Sequence, residues 1–353
     1  MKFYKIIFIL IVFFKTETLF SENNLFNVDN IQLEKNDKTT NKAISDLAIK
    51  KGFQKLITKI LLKEDINKLS DLNFSSIKQL VTYYQRKNTL NSKNNIELVN
   101  FNISFDKDKI HDLFYKRGIL YSEISDKELY VLPILVKENE IFIFNNNYFY
   151  KNWNKVYNND LSDLSDLIDF ILPLENIEII KKINDNRSSL ISLNIIELFQ
   201  EYSDKNLALI LIEDSKTSNE KIYINTIIQD KKISKSLDLK KQNLSSFEFY
   251  EKIITETKKE LINLVKSNNL IDIRTPSFLN TRLKIYNKSN LVELKKRIKK
   301  IKSVENIYVQ EFNKDNMNLR IKYLGKLDKL INALKKENIN LQLINDQWII
   351  KTL

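Results

Sequence analysis

A run of basic side chains near the C-terminus is the part of the sequence that could bind an anionic ligand. It surrounds the apolar stripe of a predicted helix, in which Leu291, Leu294 and Ile298 recur at helical spacing. Such a cluster attracts anionic lipid headgroups or polymers, and each well-placed cation contributes about 1 kcal/mol. The competing interpretation is a solvated helix, because clusters of this kind arise by composition alone in a lysine-rich chain. The run comprises Lys295, Lys296, Arg297, Lys299, Lys300 and Lys302.

Aromatic side chains gather in a second segment, the asparagine-rich residues 145–159. Their flat faces could form a platform on which sugar rings or bases stack. The same side chains could instead close a hydrophobic core, and the sequence leaves both interpretations open. The platform would consist of Tyr148, Tyr150 and Trp153.

The residue types needed for most enzymatic chemistry are scarce. The chain has no cysteine, which excludes disulfides, thiolate metal sites and cysteine nucleophiles. Its one histidine, His111, is followed by Asp112, which projects about 100° away round a helix and cannot orient the imidazole there. Three glycines in the whole chain argue against phosphate-binding glycine loops. We therefore expect no catalytic set, no metal ligands and no cofactor.

The formal net charge of +12 does not by itself indicate nucleic acid as the partner. The basic residues are nearly all lysine and are spread over many segments, whereas phosphate recognition needs a clustered stripe of cations. The accompanying abundance of asparagine and isoleucine is typical of proteins encoded by AT-rich genomes. We expect no nucleic-acid partner.

The N-terminus predicts export. A short basic stretch precedes an unbroken apolar run, residues 6–14, which has the length of a signal-peptide core and is short for a membrane span. Cleavage after Ser21 would remove a signal peptide of residues 1–21 and leave a protein in the periplasm of a Gram-negative bacterium. The alternative is an uncleaved inner-membrane anchor, because two apolar residues just before Ser21 could lengthen the run. Residues 22–38 are polar and without periodicity, which predicts a disordered tail.

Hydrophobic periodicity divides the remainder into three units of an α+β fold. The first two, an N-terminal domain of residues 39–175 and a middle domain of residues 176–275, each alternate helices with strands as α/β layers. The last, residues 276–353, follows the order βαββαβ, which is typical of a ferredoxin-like unit.

Within the N-terminal domain, an alternating strand that ends at Phe105 is followed by a helix. Asp106 is expected to cap this helix, and Gly118 suits the left-handed position after its end. The apolar run 130–136 then predicts a strand buried on both faces. Before the alternating strand we expect two helices, the second with apolar residues at helical spacing over 77–84.

A resemblance to a known family rests on Ala43–Leu62, Val81-Thr82-Tyr83-Tyr84, Phe105-Asp106, Val131–Val136 and Leu207–Ile212. These segments resemble the proteobacterial exported family catalogued as domain of unknown function two-thousand-and-sixty-six. The resemblance covers residues 39–266 and implies an exported, periplasmic protein, with no established catalytic residues to transfer. The chain departs from the family pattern by lacking a glycine near Leu61 and a tryptophan and Arg-Pro pair after Gly118.

Three functional interpretations follow. The first is an exported, non-enzymatic binding or scaffold component of cell-envelope assembly, whose partner is another envelope protein. It draws on the use of ferredoxin-like units as adaptors, which is an analogy of fold. The second is a peripheral binder of anionic envelope lipid or polymer through the basic helix. The third is a hydrolase with an unrecognised carboxylate site.

Overall fold

A computed structural model shows a mixed α+β protein with two compact units. The first unit consists of Met1–Ile57 with Asp71–Leu113, and the second of Thr58–Ser70 with Phe114–Leu353. The predicted signal peptide, residues 1–21, lies outside the described residues. The structure describes residues 25–35, 40–91, 96–124, 126–156, 164, 166–214, 219–241, 244–284, 288–313, 316–344 and 347–352.

The first unit is built around a three-stranded antiparallel sheet. Its elements are β1 (Asn27–Lys35), α1 (Asn41–Ile60), α2 (Phe74–Gln79), β2 (Val81–Asn91), β3 (Ile96–Phe105) and α3 (Lys107–Arg117). The strand order is β1-β3-β2. In β3, Val99, Phe101 and Ile103 are buried, which confirms the predicted alternation. Helix α1 approaches this sheet so closely that a Cβ on Gly52 would lie 2.8 Å from Cδ1 of Ile103.

The signals at the two ends of α3 are confirmed. The Asp106 carboxylate accepts hydrogen bonds from the backbone N–H groups of Asp108 and Lys109 at 3.0 and 3.2 Å. These bonds satisfy donors that have no partner inside the helix. Gly118 follows the helix with a φ of 61°, the left-handed conformation that glycine adopts without strain.

Two predictions for the first unit are wrong. The predicted tail, residues 22–38, contains β1, which pairs with β3. Its alternation is hidden by a bulge at Asn30, which has a φ of 58° and shifts the register between Val28 and Ile31. The helix predicted over 77–84 ends at Gln79, because the following residues pair with β3 as strand β2.

The second unit contains a six-stranded sheet with a helix-covered core on each face. Besides a one-turn helix at Lys63–Ile66, its elements up to residue 271 are β4 (Tyr121–Ser122), β5 (Glu128–Lys137), β6 (Glu140–Phe142), α4 (Tyr148–Asn152), β7 (Asp169–Ile171), α5 (Ile177–Asp185), α6 (Ile195–Leu198), β8 (Asn206–Asp214), β9 (Asn219–Ile228), β10 (Lys231–Lys240), α7 (Ser246–Asn268) and β11 (Leu270–Ile271). The order is β10-β9-β8-β5-β6, with β7 also paired to β5, while β4 and β11 form a separate pair.

The two central strands, β5 and β8, are parallel and buried on both faces. In β8, Ala208 and Ile210 enter the core beneath α7, whereas Leu207 and Leu209 enter the core on the other face. Residues of β5 likewise enter both cores, which confirms the prediction that residues 130–136 form a strand buried on both faces. Pairing from Leu129 with Asn206 to Lys137 with Asp214 joins the predicted N-terminal and middle domains in one sheet.

The predicted boundary between residues 39–175 and 176–275 is therefore wrong. Parallel strands are joined by long crossovers, so the residues between β5 and β8 look like a linker in the sequence although the strands are neighbours.

The C-terminal residues form a five-stranded sheet. Its elements are β12 (Ser277–Lys284), α8 (Lys288–Ile298), β13 (Val304–Phe312), β14 (Asn316–Tyr323), α9 (Leu327–Lys336), β15 (Ile339–Ile344) and β16 (Gln347–Thr352). The order βαββαβ is present as far as β15. Strand β16 then pairs in parallel with β12 and in antiparallel with β15, which gives the sheet order β13-β14-β12-β16-β15. Because of this inserted strand, the ferredoxin-like classification stays a prediction.

Among the helices that the structure describes, none combines the length and the apolar composition needed to cross a membrane.

Candidate anion-binding cleft

A cleft of about 1380 Å³ lies within the second unit and is lined by many lysines. One wall is formed by the residues that precede β5 and β8 and by the β9–β10 turn, and the other by α9 and the residues after α8. This volume exceeds the roughly 300–1,000 Å³ of a small-molecule pocket, so the cleft has room for an extended ligand. We call it the lysine cleft.

Cations outnumber anions along the described lining of the lysine cleft. The lysines are Lys205, Lys231, Lys300, Lys302, Lys326, Lys329, Lys335 and Lys336. The carboxylates are Glu123, Asp126, Asp204, Asp230, Asp328 and Glu337. The excess of positive charge favours an anionic ligand.

One wall of the lysine cleft is held by a chain of amide side chains. The Asn206 Nδ2 donates to the Asp126 carboxylate at 3.0 Å, and the Asn206 Oδ1 accepts from the backbone N–H of Gln229 at 3.0 Å. The Gln229 Nε2 in turn donates to Asn269 Oδ1 at 3.0 Å. Gln229 and Asp230 have φ values of 48° and 63°, as a tight two-residue hairpin turn requires. The network fixes this turn at the cleft.

Lys231 of this wall lies close to Lys326 and Lys329 of the opposite wall, and we call these three the inner lysines. The Lys329 ammonium donates a hydrogen bond to Asn269 Oδ1, a neutral partner. Burial lowers the pKa of Lys329 to about 8, with a smaller contribution from the Lys326 ammonium and an opposing one from Glu123. Burial also lowers the pKa of Lys326, as does the neighbouring Lys231 ammonium. The protein environment therefore compensates these positive charges incompletely.

The ion pairs in the cleft involve other lysines. Lys300 pairs with Glu337 at 3.6 Å, and Lys205 with Glu128 at 3.2 Å. In the part of the chain that the structure describes, no carboxylate forms an ion pair with an inner lysine. An anion that enters the lysine cleft would supply the missing negative charge.

Helix α9 points its polar face into the cleft because its apolar face is buried. Leu330 and Leu334 pack in the core of the five-stranded sheet. Lys329, Asn332 and Lys336 then fall on the opposite side, at positions i, i+3 and i+7 of one helical face, and all three line the cleft.

The predicted basic run is divided by the structure. Lys300 and Lys302 line the lysine cleft. The Arg297 guanidinium pairs with Glu293 at 3.0 Å and donates to the Asn338 carbonyl at 3.1 Å. The members of the run that do not line the cleft are Lys295, Lys296, Arg297 and Lys299.

The predicted aromatic platform is wrong. Trp153 is 0% exposed and belongs to the core beneath α7. Tyr150 is partly buried, and its hydroxyl donates to the Pro173 carbonyl at 2.7 Å. The ring of Tyr148 packs 5.1 Å from that of Tyr250. These side chains close cores because α4 lies against β5, so no flat face of Trp153 is available for stacking.

A second polar cluster lies at the carboxyl ends of β5 and β8 and bears on the hydrolase interpretation. The Tyr250 hydroxyl donates to Asp214 Oδ2, and the Lys137 ammonium lies 3.0 Å from the same oxygen. Burial would raise the pKa of Asp214, but hydrogen bonds from Tyr250 and Lys137 hold it below its usual value. Glu220, which is buried, also hydrogen-bonds to Asp214. Hydrolytic carboxylate pairs leave a gap of about 5 Å or more for substrate or water, whereas these groups bond directly to one another.

Sequence reasoning missed the lysine cleft. Its lysines come from the β8 entrance, the β9–β10 turn, the segment after α8 and from α9, and no spacing rule connects these positions. The only signal was the presence of Lys300 and Lys302 in the basic run.

Comparisons with known proteins do not identify the chain. No family model matches it, and no curated protein matches it. A crystal structure of an uncharacterized protein is 13% identical, covers 41% of this chain and 94% of its own, and has a TM-score of 0.20. A formyltetrahydrofolate deformylase from Pseudomonas putida KT2440 is 8% identical, covers 60% of this chain and 91% of its own, and has a TM-score of 0.15. A deformylase with the same name from Pseudomonas syringae pv. tomato str. DC3000 is also 8% identical, covers 74% and 93%, and has a TM-score of 0.13. TM-scores this low do not show that the chain shares a fold with these proteins.

Proposed function

We propose that this chain is a non-enzymatic binding protein that holds an anionic ligand in the lysine cleft. The observation that carries the proposal is the set of inner lysines, which converge from both walls of the cleft and form no ion pair with a described carboxylate. The partly buried Lys329 ammonium, hydrogen-bonded to the neutral Asn269 amide, is destabilised by burial, and the neighbouring Lys326 ammonium, itself next to Lys231, adds repulsion. An anionic group between them compensates these charges, and the charge-assisted hydrogen bonds so formed are the strong kind.

We further propose that the protein is exported and works in the cell envelope. The support is the basic stretch and apolar run at the N-terminus, and the resemblance to the proteobacterial exported family noted above. In that compartment, anionic lipids and polymers are ligands that the cleft could take. The binding or scaffold role with another envelope protein is the second candidate, in which an acidic segment of the partner enters the same cleft.

Two double variants test the proposed binding site: one removes two positive charges inside the cleft, and the other removes two outside it. Lys326→Gln/Lys329→Gln removes two inner lysines, and Lys295→Gln/Lys296→Gln removes two exposed lysines of α8. Each is titrated with fluorescent polyphosphate and with polyglutamate at low salt. We expect the first variant to lose at least about tenfold in affinity, since a hydrogen bond to a charged group contributes about 1.5 kcal/mol or more. The α8 variant should stay within about twofold of the parent.

Equal losses in the two variants would contradict the proposal, because they would assign binding to the general positive field of the protein. Absence of binding by the parent protein at low salt would also contradict it.

Export is tested by fractionation of the native host with intact-mass measurement. A chain that begins near Glu22 in the periplasmic fraction supports export with cleavage, whereas a full-length chain in the membrane fraction supports the anchored alternative.

A further inference from the structure

Two groups of cations in the lysine cleft lie at the two ends of α9. Of the inner lysines, Lys326 and Lys329 stand at the start of α9, and Lys231 approaches them from the β9–β10 turn. Lys335 and Lys336, which we call the outer lysines, stand at its last turn, and both are exposed. Lys329 and Lys336 are seven residues apart on the same helical face, which corresponds to about 10 Å at a rise of about 1.5 Å per residue.

The inner group suits a compact ligand group with more than one negative charge. Its three ammonium groups repel one another, as the effect of Lys231 on Lys326 shows, and a single carboxylate would offset only part of that repulsion. Lysine presents a point charge that binds phosphate oxygens without demanding the planar geometry that arginine requires. The α9 N-cap residue, Lys326, supplies no side-chain acceptor to the helix, so the positive end of the helix dipole adds to the same field. Asp328 and Glu123 offset part of this field.

The outer group can accept a second anionic group. Neighbouring Lys300 is held by Glu337 at 3.6 Å, whereas no described carboxylate forms an ion pair with Lys335 or Lys336. Between the two groups the helix presents only Asn332 and Ala333 to the cleft, so no carboxylate of this helical face stands between them. A ligand that runs along α9 therefore meets positive charge at both ends.

We propose that the lysine cleft binds an extended ligand with two or more phosphate groups, one at the inner lysines and another about 10 Å away at the outer lysines. This inference rests on the proposed function and adds the ligand class and its direction along the cleft. Phosphate groups of a soluble polymer and of lipid headgroups share this chemistry.

The test is isothermal titration of the full chain with orthophosphate, pyrophosphate, triphosphate and longer polyphosphates. Affinity should rise with chain length and stop rising once the chain reaches from the inner to the outer lysines. Lys326→Gln/Lys329→Gln should weaken every ligand, including orthophosphate. Lys335→Gln/Lys336→Gln should leave orthophosphate unchanged and remove the gain with chain length. Urea unfolding of both variants verifies that the fold is intact.

The outcomes separate this inference from the proposed function. If polyphosphate binds but both variants weaken orthophosphate and long chains equally, the two-group arrangement is overturned while anion binding in the cleft stands. If polyglutamate of matched length binds as tightly with the same pattern of variants, the preference for phosphate is overturned. Cosedimentation with phosphatidylglycerol vesicles, lost in the outer variant, supports lipid headgroups as the source. Binding of polyphosphate without cosedimentation supports a soluble polymer.

Discussion

Ligand affinity should depend on pH through Lys329. Burial lowers the pKa of this side chain to about 8 in the free protein, so it is about nine-tenths protonated at pH 7 and about one-tenth protonated at pH 9. A bound anion favours the protonated form and raises the pKa. Affinity for a ligand of constant charge should therefore fall about tenfold between pH 7 and pH 9 from Lys329 alone. Burial also lowers the pKa of Lys326.

The assay is a titration with long-chain polyphosphate, whose internal phosphate groups keep their charge over this range. The matched control is Lys329→Arg, because a guanidinium stays protonated at pH 9. The arginine variant should bind at pH 7 and lose several-fold less affinity at pH 9 than the parent. Parallel loss in the two proteins would refute the reasoning, since it would show that Lys329 does not titrate in contact with the ligand.

Three further predictions concern stability and burial. Ser245→Ala should cost about 1 kcal/mol in urea unfolding, because Ser245 and Glu248 form a reciprocal cap at the start of α7; an unchanged midpoint would show that this cap contributes nothing. Burial lowers the pKa of Lys266 to about 8, so its protonation destabilises the folded state below that pH, and stability should rise as pH increases from 8 to 10. Lys266→Met should remove roughly 2 kcal/mol of that rise, and an equal rise in both proteins would contradict the assignment. In a Trp348→Phe variant, iodide should leave the emission of Trp153 unquenched, whereas strong quenching would show that the indole is accessible.

Periodicity in the sequence predicted the elements whose environment is simple. Strand β3 alternates because one face meets α1 and the other does not, and β8 is continuously apolar because it enters a core on each side. The caps of α3 were equally readable, since Asp106 and Gly118 satisfy local backbone requirements. In these places the physical cause lies within a few residues of the element itself.

The failures have causes that lie elsewhere in the chain. Strand β1 was hidden because the bulge at Asn30 breaks its period, and the hydrogen bond from the Asn30 N–H to Asn102 Oδ1 belongs to a partner strand far away in sequence. Trp153 looked like part of a stacking platform because aromatic composition does not distinguish a core from a surface. Only the packing of α4 decides between them.

The lysine cleft was the hardest feature to predict. Lys231 belongs to a hairpin of the six-stranded sheet and Lys329 to a helix of the five-stranded sheet, so their meeting depends on the packing of the two sheets within one unit. In a chain with 57 lysines and arginines, no local pattern marks these residues as different from the rest. Their distinguishing property, the meeting of ammonium groups that form no ion pair with a described carboxylate, exists only in the folded protein.

The most direct test of anion binding in the lysine cleft is lysine footprinting by mass spectrometry. The full chain is treated briefly with acetic anhydride at pH 8, with and without polyphosphate, and the acetylation of each lysine is measured. Only the neutral amine reacts, so a ligand that protonates and covers the inner lysines should slow the acetylation of Lys326 and Lys329 several-fold. Lys295 and Lys296 should react at unchanged rates. Uniform protection of all four, or no protection of Lys326 and Lys329 under conditions in which polyphosphate is bound, would contradict the central claim.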